Sequence, residues 1–140
     1  MKHPFKCNDF LCKIFVEDTD FQGVVYHANY LKYFERARSQ FLIDNQHSQS
    51  DALLQNESYI VKKIDLEYLA PAILDDTLII KSDAVLNSRA RIQFLQSAYN
   101  QKNDTLICKG VIEVCYFDSG KKKPKAFPNT LLALFGDIHG

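Results

Sequence analysis

Over residues 28–44 the apolar side chains Tyr30, Phe34, Ala37 and Phe41 recur at helical spacing, and Leu31, Tyr33 and Leu42 widen the stripe. At 1.5 Å per residue this segment predicts a helix about 25 Å long, with a broad aromatic face that needs covering. Downstream the period changes to that of strands. Residues 59–68 (YIVKKIDLEY), 77–86 (TLIIKSDAVL), 90–99 and 106–117 (LICKGVIEVCYF) are β-prone, and polar breaks at Asn87-Ser88-Arg89 and over residues 100–104 sit where hairpins turn. Upstream, residues 10–19 (FLCKIFVEDT) read as a further strand. Residues 45–57 read as a polar connection, Gly110 as a bulge, and residues 126–135 as a short closing helix. Parallel strands need long crossovers between them, and here no helix separates the later strands. The expectation is therefore α+β, an antiparallel sheet packed on one long helix. Neither repeats nor a Pro/Gly/Ser linker divide the 140 residues, which predicts one domain over residues 1–140.

Composition narrows the function classes. Seventeen Lys+Arg balance seventeen Asp+Glu, so the chain lacks the basic excess with which nucleic-acid binders displace counterions. No apolar run approaches the ~18 residues of a membrane helix, and the first residues, MKHPFKCNDFLCK, lack the apolar centre of a signal peptide. The expected location is the cytoplasm. Cys7, Cys12, Cys108 and Cys115 lack the spacing of zinc knuckles and read as four unlinked thiols of a reducing compartment.

The densest chemistry lies between the first strand and the helix, in Glu17-Asp18-Thr19-Asp20-Phe21-Gln22-Gly23-Val24-Val25-Tyr26-His27. A carboxylate in a tight turn here stands just before a helix N-terminus, where unpaired N–H groups and the positive dipole end can stabilise an oxyanion. Such a carboxylate can attack an acyl carbon or deprotonate water. Asp20 alone would read as a turn cap, and Asp18 as the member that stabilises the turn. Gly23 suits positive φ, close approach of a substrate, or both. Glu35 and Arg38 read as a surface or interface pair. No G-x-G-x-x-G or P-loop pattern is present.

The run DTDFQGVVYHANYLKYFERAR (residues 18–38) closely resembles the signature of hotdog-fold acyl-CoA thioesterases, nearest the YbgC type and related to 4-hydroxybenzoyl-CoA thioesterases. The resemblance implies an antiparallel sheet wrapped around one long central helix, a homodimer or tetramer with sites at the subunit boundary, and hydrolysis of acyl-CoA without cofactor or metal. Acyl carrier protein is an implied further partner. It assigns catalysis to Asp20, the second Asp of the D-x-D turn, and the thioester oxygen to the His27 backbone N–H, with the His27 side chain lining the site. Gly23, Val24 and Tyr26 would contact substrate. Arg89 and Arg91 occupy the hairpin where such proteins place basic residues for the nucleotide end of CoA, with a neighbouring subunit as one possible holder of that CoA. The run Lys121-Lys122-Lys123-Pro124-Lys125 reads instead as a solvated turn. Val16 stands where relatives often carry Tyr, so that hydroxyl is missing here. A hotdog dehydratase would carry an H-F-P motif, which is absent; a non-catalytic acyl-CoA binding module is the alternative, and the presence of Asp20 argues for the enzyme.

Overall fold

The computed structural model describes residues 3–137, so the first two and last three positions of the expected domain lie outside it. It opens with two short strands, β1 (Phe5–Lys6) and β2 (Phe10–Lys13), followed by a 3-10 turn at Val16–Asp18 and helix α1 (Asn29–Asp44). A six-residue helix, α2 (Gln49–Leu54), precedes β3 (Glu57–Tyr68), β4 (Thr77–Ser88), β5 (Arg91–Asn100) and β6 (Leu106–Asp118). Strand β7 (Lys123–Pro124) and helix α3 (Asn129–Ala133) close the chain. All pairings are antiparallel, in the order β1-β4-β5-β6-β3, with β2 also on β4 and β7 on β6. This is the α+β architecture expected, one long helix against an antiparallel sheet.

Alternation decides which face α1 covers. On β4, Leu78, Ile80, Ser82, Ala84 and Leu86 are buried, and on β5 Ile92, Phe94, Gln96, Ala98 and Asn100. Against them lie Tyr30, Tyr33, Phe34, Ala37 and Phe41 of α1, all buried. Phe41 meets Phe94 edge-on with centroids 5.7 Å apart and Phe5 at 5.5 Å. The four described cysteines are buried and unlinked. No helix among the described residues is long and apolar enough to cross a membrane.

Several local expectations change. The first strand stops at Lys13, because the chain turns into the 3-10 segment where the Asp18 Oδ2 accepts the Phe15 N–H at 2.8 Å. The stretch after α1 contains α2, capped by Ser48, whose hydroxyl accepts the Asp51 N–H. The closing helix is shorter than expected. Gly110 is not a bulge. It keeps regular register opposite Leu66 and Gln96, while the irregularities fall at Val61/Lys63 and Ala98/Tyr99. A side chain at 110 would strike Leu66 and come within 2.9 Å of the Asp65 carbonyl oxygen. The glycine therefore lets β3 lie close on β6.

Strand β3 ends the sheet, with Val61, Ile64 and Tyr68 each more than two-fifths exposed. A twelve-residue edge with unpaired backbone groups and apolar side chains is the kind of surface sheet proteins normally protect. Gly110→Ala should destabilise the chain by about 1–3 kcal/mol, the usual cost of forcing volume into a packed contact. Urea unfolding measures this, and an unchanged midpoint would show that β3 can move away freely.

Candidate active site

The segment between β2 and α1 doubles back on itself. Thr19 and Val25 form an antiparallel bridge, the Asp20 N–H donates to the Val24 carbonyl at 2.9 Å, and the Tyr26 N–H donates to the Asp18 carbonyl at 3.0 Å. Gly23 takes φ 79° in this turn, and no atom lies within 4 Å of where its Cβ would be, so backbone conformation alone requires glycine there. On its other side the loop is tied to the connection between β3 and β4. Val24 bridges Ile73, the Val25 N–H donates to the Ala72 carbonyl and the Leu74 N–H to the Gly23 carbonyl.

Asp20 does what its turn-capping chemistry demands and retains one free oxygen. Its Oδ1 accepts the Gln22 N–H at 2.8 Å and the Val24 N–H at 3.4 Å, while Oδ2 takes no hydrogen bond among the described residues. The carboxylate is half-buried and fixed in orientation. Asp18 serves the turn, through Oδ2 to Phe15 and through its carbonyl, which also accepts from Asn29 Nδ2 at 2.7 Å. That last bond joins the turn to the first residue of α1.

At the helix start, Ala28 offers no side-chain cap, and no acceptor among the described residues takes the His27 N–H. The His27 side chain is exposed. It packs on Tyr26 with centroids 4.5 Å apart and edge-on to Tyr68 at 6.1 Å, and the Tyr68 hydroxyl donates to the His27 carbonyl at 3.2 Å. Tyr68 sits at the end of β3, forty-one residues away in the chain. Strand periodicity gave no sign that it would meet His27; its tyrosine hydroxyl at a strand end was the one available signal. Beneath the turn, burial and then the Asp18 carboxylate push the Tyr33 hydroxyl's pKa up. Phe21, at the tip, is almost wholly exposed.

Asp20, Gly23, Val24, Tyr26 and His27 thus share one loop at the α1 N-terminus. Arg89 and Arg91 do not join them. They flank the β4–β5 turn at the far end of β4, roughly 35 Å along a twelve-residue strand from its beginning beside the loop. There Arg89 Nε is 3.5 Å from Asp137 Oδ2 and Arg91 is 3.7 Å from Glu113 Oε1. The lysine run is exposed as expected, though Lys125 reaches the buried Glu57 carboxylate, which Tyr116 also contacts. Arg38 departs from expectation altogether. It is buried, and donates to Gln96 Oε1 at 3.0 Å instead of pairing with Glu35 at the surface, because its position on α1 faces the sheet.

A sequence model of the thioesterase-like superfamily matches residues 15–135. The chain is 37% identical over 123 residues to the acyl-CoA thioester hydrolase YbgC of Escherichia coli O6:H1, covering 88% of this chain and 91% of that protein. It is 36% identical over 127 residues to the acyl-CoA thioesterase YbgC of Haemophilus influenzae, covering 90% and 92%. Among solved structures, a 1,4-dihydroxy-2-naphthoyl-CoA thioesterase from Synechocystis superposes with TM-score 0.87 at 17% identity, over 98% of this chain and 99% of that one. That likeness is one of fold.

Removing the tie between turn and helix should be measurable. Asn29→Ala leaves the Asp18 carbonyl with the Tyr26 N–H alone and should cost about 1 kcal/mol of stability, the usual net worth of one hydrogen bond. Chemical denaturation monitored by tyrosine fluorescence tests this; no change would mean the bond holds the turn no better than water does.

Proposed function

The chain belongs to the thioesterase-like superfamily as a YbgC-like acyl-CoA thioester hydrolase, and within that family we propose that Asp20 performs the chemistry. The observation that carries the proposal is a carboxylate with one oxygen held by two backbone N–H groups and the other open, on the loop that ends in the unengaged His27 N–H. The thioester carbonyl oxygen accepts that N–H, and the positive end of α1 stabilises the negative charge that grows on it. Asp20 Oδ2 then either attacks the carbonyl carbon or takes a proton from the water that does. Collapse expels the CoA thiolate, a leaving group good enough to need neither a metal nor a strong acid; on the route of direct attack a water then hydrolyses the aspartyl anhydride, freeing the acid and Asp20. The Gly23–Val24 backbone and the Tyr26 and His27 rings form the wall along which the acyl-CoA lies. Acyl carrier protein, which presents the same thioester on the same pantetheine arm, is a second substrate under this reading, and the reducing cytoplasm its setting.

The nucleotide end needs cations, and Arg89 and Arg91 supply them from a second copy. A chain pairing antiparallel with its own copy along the β3 edge sets the Glu57 end of one strand against the Tyr68 end of the other. The Tyr68 end adjoins His27. The Glu57 end adjoins the Arg89–Arg91 hairpin, since β6 pairs Cys115 with both Ile60 and Arg91. A β3-edge homodimer therefore completes each site with the partner's arginines and covers the exposed edge.

Asp20→Asn keeps size and hydrogen-bonding capacity but can neither attack nor accept the proton. It should lower kcat for the best acyl-CoA by at least ~10²-fold while binding persists, the scale of losing a positioned base. Asp18→Asn, the control, should lose stability and retain more turnover. Folded Asp20→Asn working at the parent rate would refute the assignment. Sedimentation at micromolar concentration should show a dimer or tetramer of the 16.1 kDa chain; a monomer alone would refute the shared site.

A further inference from the structure

A line of polar side chains crosses the core between α1 and the sheet. Gln96, 1% exposed, donates through Nε2 to the Phe34 carbonyl and to Ser82 Oγ, both at 3.0 Å, which fixes its Oε1 toward Arg38. Arg38, 8% exposed, donates from one terminal nitrogen to that oxygen. Only one of the guanidinium's five N–H donors is thereby used. No carboxylate among the described residues comes within ion-pair distance of it. Glu35, one turn earlier, is exposed and accepts the Ser39 hydroxyl at 3.2 Å. Burial outweighs the attraction of Glu35 and lowers the Arg38 pKa to about 10, so the group is a cation at neutral pH without a paired counter-charge. An unpaired buried cation is costly, and an apolar side chain of similar volume would be cheaper for folding.

What Arg38 faces gives it a use. It shares the wall of a 140 Å³ cavity with the exposed Glu35, whose carboxylate is turned to the Ser39 hydroxyl, and with Leu42, Tyr59, Val61 and Phe94. That is room for the volume of about four or five water molecules, enough for the end of a short chain. Tyr59 and Val61 belong to β3, so the cavity lies beside the strand edge, at the end where a second copy would bring its own catalytic turn.

We infer that this cavity receives the distal end of the acyl group and that Arg38 adapts it to acyl chains ending in a carboxylate. The inference rests on the thioesterase reading and the β3-edge dimer proposed above. The planar guanidinium presents a fork that matches a carboxylate bidentately. Gln96 holds it in place from behind, and the chain's methylenes rest on Leu42 and Phe94. Hydrolysis itself is unaltered: water and thioester give a free acid and a thiol, and here the released acid carries two carboxylates.

The test compares hexanoyl-CoA, 6-hydroxyhexanoyl-CoA and 5-carboxypentanoyl-CoA as substrates of the full chain. The wild type should favour the carboxylated substrate over hexanoyl-CoA by at least ~10-fold in kcat/KM, the scale of a charge-assisted hydrogen bond, with the hydroxylated one between them. Arg38→Met should abolish that ratio. A merely structural arginine would, on removal, slow all three substrates alike and leave the ratio unchanged, which would overturn the inference. So would a wild type that prefers the hydroxyl or the plain alkyl chain. Should Arg38→Met fail to fold, Arg38→Lys keeps the charge without the fork and should reduce the ratio, whereas Arg38→Gln should remove it. A wild type that cleaves none of these and no other acyl-CoA would instead defeat the thioesterase reading, and a monomer in sedimentation would defeat the dimer.

Discussion

Burial of the aromatic face of α1 is the constraint on which the other features hang. Phe34 and Tyr33 are essentially without solvent contact, and burying each such ring stabilises the fold by roughly 2–3 kcal/mol. Neither the helix nor the sheet could hide its apolar side alone. Once they are together, the axis of α1 is fixed against β4 and β5, and the position of its first turn follows. The Asp20 loop therefore inherits its place from the packing of Phe34, Ala37 and Phe41.

The loop's internal precision has a different origin. Backbone hydrogen bonds hold it: Val25 and Leu74 tie it to the connection between β3 and β4, and Asn29 ties it to the helix. Because both amides that grip Asp20 Oδ1 belong to residues within four positions of it, the carboxylate's orientation is local information. Where the loop points in the molecule is global information, supplied by the core. Substrate handling needs both, and the two are nearly independent in this chain.

That division explains what could be read from the residues alone. Asp20, Gly23 and His27 lie in one contiguous turn, and local chemistry places them correctly together. The long helix and the hairpin strands are likewise announced by periodicity. Arg38 was misjudged because a charge three residues from Glu35 reads as a surface pair. Only the sheet register brings Gln96, fifty-eight positions later, beneath it. Tyr68 was missed for the same reason, and α2 because the six residues QSDALL are too few to show a helical period. The basic hairpin at Arg89 and Arg91 was recognisable, but not that it stands at the opposite end of β4 from Asp20. Distance along a strand is invisible until the strand's neighbours are known.

The buried thiols acquire a meaning from the reaction. An acyl-CoA thioesterase releases a free thiol at every turnover, and a cysteine thiolate attacks the disulfide form of such a thiol, expelling one thiolate and leaving a mixed disulfide. Cys12 stands close enough to the turn before α1 to feel the charge of Asp18. Desolvation, the main cause in each case, pushes the thiol of Cys12 up to about 11 and those of Cys7 and Cys108 up to about 12. At neutral pH a thiol with a pKa of 11 to 12 is ionised in roughly one molecule in 10⁴ to 10⁵. Packing that fills the core thus also keeps the thiols of Cys7, Cys12 and Cys108 protonated and slow to exchange with the thiol that each turnover releases.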